Sequence, residues 1–236
     1  MRRLRRFVPP QHGAWAMLLL PYLAGVLTAG FRWPDIPLLL AWLSGYLLSY
    51  YASQALKTRR PGRFKSQMMW YGLSTALFAA PVILARPRVL LYAPIFAALL
   101  AVNACHAARR QERALVNDLV SVVESCLMVF VTATIAGVAP SETVLPFTAT
   151  LLYFTGTVFY VKTMIRERGS ILYYRTSIAY HVAAVVVALL LSRLLAALFA
   201  VLAIRAFVLP RRRLTPKQVG LLEIAACLFL GAAVLQ

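Results

Sequence analysis

Apolar stretches of membrane-spanning length follow one another along this chain, and its basic residues fall in alternate gaps between them. A bilayer-crossing helix needs about 20 apolar residues. Sliding the hydropathy window along the chain predicts nine spans, at about 13–30, 36–56, 67–85, 88–107, 116–138, 144–164, 174–191, 194–209 and 217–235. The eighth is the weakest, because Arg193 alone separates it from the seventh. The expected fold is an all-α, polytopic transmembrane helical bundle, with residues 1–236 forming a single integral membrane domain. At 61% hydrophobic residues and a mean hydropathy of +0.75, almost nothing is left over for a soluble domain.

The charges predict the orientation. If the N-terminus is cytoplasmic, 21 of the 25 basic residues fall in cytoplasmic segments. These are Arg2 to Arg6, Lys57 to Lys65, Arg109 to Arg113, Lys162 to Arg175, and Arg205 to Lys217. Only Arg32, Arg86, Arg88 and Arg193 remain on the other side. Basic residues near span ends resist translocation, so the expectation is a multi-pass protein of the bacterial cytoplasmic (inner) membrane, N-in and C-out. The N-terminal run Met1 to Phe7 leads straight into a full span and reads as a retained first helix, not a cleaved signal.

A net charge of +18 would also suit nucleic acid. That partner is rejected, because the cations are dispersed over membrane-facing loops instead of gathered on one soluble face. Their expected partner is membrane lipid, above all the anionic cytoplasmic leaflet. The three cysteines, Cys105, Cys126 and Cys227, lie in apolar helices without metal-ligand spacing, which makes them packing residues. No metal, flavin or nucleotide motif occurs, so no cofactor is expected.

Ionisable groups at membrane depth are functional candidates by default. Asp118 and Glu124, with Asn117 beside the aspartate, lie on the fifth span; six residues apart, the two carboxylates point about 120° away from each other. Glu223 sits in the last span, where Arg205 is its natural partner. His12 opens the first span after two prolines and reads equally as a headgroup ligand, a proton carrier or a cap. His106 and His181 read as structural.

The cytoplasmic ends of the second and sixth spans share a pattern of aromatics, Lys-Thr and arginine. One carries Ser53, Gln54 and Lys57; the other carries Lys162 and Arg166. Cations over an apolar cavity would hold a phosphate or diphosphate whose tail lies in the membrane. Positive-inside decoration explains the same residues, and on composition alone is the stronger reading.

The opening run from Pro9 to Gly25, the segment from Glu112 to Leu119 and the basic loops resemble the YwiC-like family of bacterial membrane proteins. More distantly, the span count and the pattern of Leu20, Pro21, Leu23 and Gly25 resemble the UbiA superfamily of intramembrane prenyltransferases. That second resemblance implies a UbiA-like bundle with an isoprenoid, quinone-like or other anionic lipid ligand in a cytoplasm-facing cavity. It also implies aspartate-rich magnesium-diphosphate motifs at the ends of the second and sixth spans. Here those positions carry Ser53, Gln54, Lys57, Lys162 and Arg166, and lysine and arginine repel magnesium. Three readings therefore stand together: lipid binding, a proton-coupled transporter of a small anion, and a divergent, metal-independent prenyltransferase. The residues do not decide whether the protein is an enzyme.

Overall fold

A computed structural model describes residues 12–212 and 214–234, with side chains from residue 14 onward. The described residues form helices and no strand. In chain order they are α1 (His12–Ala29), α2 (Asp35–Thr58), α3 (Lys65–Ala85), α4 (Ala93–Ala108), α5 (Leu115–Cys126), α6 (Met128–Ala136), α7 (Val144–Val161), α8 (Ile171–Leu191), α9 (Arg193–Val208) and α10 (Pro216–Val234). Eight helical units are long and apolar enough to cross a membrane, and α1 is a shorter apolar helix.

The fifth span runs as one apolar unit, Leu115–Ala136, with an irregular turn at Leu127 between α5 and α6, so the sixth predicted span is α7. Pro94 does not kink a helix interior. It occupies the first turn of α4, where its missing N–H costs no hydrogen bond. Pro21 and Pro81 do lie inside α1 and α3.

Helices α1, α5, α6 and α7 make the centre. On one flank α2 pairs with α3 and meets α4; on the other α8 pairs with α9, and α10 closes back on α1 and α7. The main buried cluster joins Ala24 of α1, Cys126 of α5, Tyr153 of α7, Ala188 of α8, Phe199 of α9 and Leu230 of α10. Lipid offers no hydrophobic gain for helix association, so close backbone approach has to supply it. Gly25 does this for α1 and α6: a Cβ there would collide with Thr132 Oγ1 and lie 2.9 Å from the Val129 Cα. Helix α6 stops at Gly137, whose φ of 79° is the left-handed conformation that ends helices.

The outer helices bury little. None of the most apolar window of α4 and 6% of that of α3 is buried, against 56% for α5–α6. Helix α3 turns Met69, Trp70, Leu73, Leu77 and Leu84 outward. Antiparallel succession brings the ends of α2, α4, α7 and α9 to one end of the bundle with the basic segments that follow them. Contacts across that end include Lys57 to Glu112, Lys162 to Arg113, and Arg168 to Leu214.

Candidate functional site: a strap held by two lysines and a cationic basin

The segment between α4 and α5 ties this end together. Lys57 Nζ, at the end of α2, lies 2.7 Å from Glu112 Oε1. Lys162 Nζ, just past α7, donates to the Arg113 carbonyl at 2.6 Å and lies 2.8 Å from Asp118 Oδ2. Arg166 Nη1 lies 3.5 Å from the same oxygen. Asn117 Nδ2 donates to the Glu112 carbonyl at 2.9 Å, which closes the first turn of α5. The two Lys-Thr helix ends therefore grip one strap, residues 109–118, from opposite sides. Glu112, which stands in the segment that carries the family resemblance, has no local sequence signal that marks it as the partner of Lys57.

The two lysines differ in setting. Lys162 is 3% exposed, and the chain from Lys162 to Arg166 widens into a π-turn closed by Glu167 N on the Lys162 carbonyl at 2.7 Å. Such turns recur at functional positions. With Nζ enclosed between a carbonyl and a carboxylate, Lys162 is committed to the protein and does not present a free cation to a diphosphate. The Lys57 side chain is 40% exposed. Partial burial alone would push the Glu112 carboxyl up, but the hydrogen bond and charge of Lys57, with help from Arg113, hold it below its ordinary range.

Beside Lys57 lies an open basin of about 350 Å³ lined by Lys57, Thr58, Arg60, Arg63 and Arg110. Four of those five residues are cationic. Arg110 reaches in from the strap, with Nε 3.4 Å from the Lys57 carbonyl. Arg59 (φ 54°) and Arg110 (φ 59°) are the only non-glycine residues with positive φ among those described; Arg110 lines this basin, and Arg59 stands in the chain between two of its lining residues, Thr58 and Arg60. A left-handed non-glycine residue is uncommon, and such strain clusters at ligand-binding sites. In the sequence these arginines were legible only as topology signals. What singles them out is the turn after α2, which folds Arg60 and Arg63 back toward Lys57. Ser53 and Gln54 sit half-buried in α2 near this end; Gln54 offers its carbonyl to Thr58 Oγ1 at 2.7 Å.

The remaining candidates are scattered. Glu124 accepts from Asn103 Nδ2 at 3.1 Å between α4 and α5. Glu223 lies on the far flank, ion-paired with Arg205 and hydrogen-bonded by Tyr153 and Thr157 at 3.1 and 2.8 Å. The candidate carboxylates Asp118, Glu124 and Glu223 thus belong to three separate neighbourhoods. His12 begins α1, but its side chain lies outside the described residues, as do Arg2 to Arg6 and Arg213. His106 and His181 each face a carbonyl one turn earlier, Val102 at 3.0 Å and Ser177 at 2.7 Å. Among the described residues no group of three or more His, Cys, Asp or Glu side chains could hold a metal ion.

An all-helical chain with eight membrane-length apolar helices and charge confined largely to their ends is a multi-pass membrane protein. A family model described as YwiC-like protein matches residues 8–133. The chain is 34% identical to an uncharacterized protein YwiC of Bacillus subtilis (strain 168), over 97% of both chains. It is 30% identical to an uncharacterized protein of Haemophilus influenzae, over 94% of both. The chain belongs to the YwiC-like family. No solved structure matches it.

Proposed function

We propose that this protein binds an anionic, phosphate-bearing lipid at the cytoplasmic face of the inner membrane, with the headgroup in the basin beside Lys57. The observation that carries this reading is the basin itself: Lys57, Arg60, Arg63 and Arg110 converge on one open volume, and only Lys57 among them has a carboxylate partner in the described ion pairs. Guanidinium groups are suited to phosphate oxygens, which they can take two at a time. The tail would lie along α3, whose outward Trp70, Leu73 and Leu77 continue away from the basin into the apolar zone. The N-in, C-out orientation belongs to the same proposal, since it puts the basin on the leaflet that carries anionic lipid. A phospholipid and a phosphorylated isoprenoid share this headgroup chemistry; the latter is the ligand that a UbiA-like bundle would take.

Native mass spectrometry of the full chain from mild detergent tests the reading, comparing wild type with an Arg60→Gln, Arg63→Gln, Arg110→Gln variant. The expected result is a retained anionic lipid in wild type that is lost from the variant; its mass separates phospholipid from isoprenoid phosphate. Equal retention of lipid by both proteins, or preference for a zwitterionic lipid, overturns the proposal.

A further inference from the structure

Far from the basin, the chain carries a second polar site inside the bundle. Glu223 of α10 is fully engaged: one oxygen pairs with Arg205 Nη1 of α9, and the other accepts from Tyr153 and Thr157 of α7. Tyr153 in turn accepts from Cys227 Sγ at 3.3 Å. Arg205 is not fully engaged. Its side chain is 10% exposed, and Nε and Nη2 are buried with no hydrogen-bond partner. These two N–H groups share one edge of the guanidinium, the fork that takes acceptor oxygens side by side. One face of the guanidinium lies over the Tyr160 ring, 4.0 Å from its centroid. Tyr160 is wholly buried, and its hydroxyl is also without a partner.

Buried donors on a charged group need acceptors, because leaving them unmade costs the full desolvation of the group. We propose that the Nε/Nη2 edge of Arg205 is a binding site for ordered water, admitted from the end of α9 and held between Arg205 and the neighbouring tyrosine. Charge favours water over a second anion. Glu223 already cancels Arg205, so an added anion would leave an uncompensated negative charge in a low-dielectric interior, whereas water leaves the site neutral. Buried Met164, Ala206 and Val219 pack around Tyr160, so any ligand at this edge has to be small. Arg205 lies in the last turn of α9, so the route from the interfacial end is short. Buried water of this kind characteristically satisfies otherwise unpaired polar groups. The consequence is that Glu223 belongs to a hydrated pocket within the apolar bundle.

Radiolytic hydroxyl labelling in isotope-labelled water, on the full chain in phospholipid nanodiscs, tests this. Tyr160 and Phe199 are buried alike, at 0% and 1% exposure, and both rings react with hydroxyl radical. Tyr160 is expected to take up solvent oxygen several-fold faster than Phe199. Equal rates mean a dry site and overturn the proposal without any variant. In an Arg205→Leu, Glu223→Leu protein the Tyr160 rate should fall to that of Phe199. Arg205→Lys, which loses the fork but keeps a charge for Glu223, should lower it as well. A rate unchanged in both variants, or slow Tyr160 labelling with a lipid displaced by Arg205→Lys, overturns it too.

Discussion

At the scale of single residues, Lys57 and Lys162 show how one sequence pattern serves two physical ends. Each precedes a threonine that bonds back to the carbonyl four residues earlier, Gln54 in one case and Phe159 in the other. Their partners sit in the same strap, but their burial differs. Lys162→Met leaves Asp118 half-paired beside a mostly buried site and should destabilise the protein by about 3 kcal/mol. Lys57→Met removes a pair that water already screens and should cost less than about 1 kcal/mol. Thermal unfolding of the two variants in one detergent checks the contrast; adding Asp118→Asn to Lys162→Met should recover much of the loss. Equal shifts for the two lysines would mean that burial does not govern this end of the bundle. Lys57 and Lys162 were legible in the sequence as candidates, from their shared place at the ends of two spans. Their pairing was not. Lys57 meets an acid 55 residues away in sequence, and nothing local marks Glu112, rather than Glu167, as its partner.

At the scale of elements, hydropathy alone marked the apolar stretches, and eight of the helical units that form there are long enough to cross a membrane. It could not locate the irregular turn at Leu127, where the residues on both sides are equally apolar and the backbone stays near helical geometry. Nor could it assign neighbours. The α1–α6 contact depends on Gly25, one of several small residues that the sequence marks as permissive for close packing. Its own role is testable. Gly25→Ala should push α1 off α6 and cost about 1–3 kcal/mol, the range for overpacking a tight contact. The Thr132→Ala background should not rescue it, because the Val129 Cα stands 2.9 Å from the added Cβ and cannot rotate away. Melting temperatures of the single and double variants measure this; full rescue by Thr132→Ala would show that only a side chain had been in the way.

At the scale of the whole molecule, the basic segments and the helix ends they follow occupy one face, and that arrangement has a direct readout. Single cysteines at Gly62 and Ser141, in a protein whose own three cysteines are replaced, lie at opposite ends of the bundle. In intact cells a membrane-impermeant maleimide should reach Ser141→Cys at once and Gly62→Cys only after permeabilisation; the reverse pattern would invert the orientation and move the cationic basin to the outer face. The uneven burial of the outer helices bears on how such a molecule comes apart. With α3 and α4 moored mainly by lipid while α5–α6 and α7 are enclosed by protein, the chain is a tightly cooperative kernel with a loosely attached flank. Local opening of that flank should cost less than global unfolding. A single melting midpoint should then report the kernel, while hydrogen exchange in α3 and α4 should run ahead of it as that side gives way to lipid first.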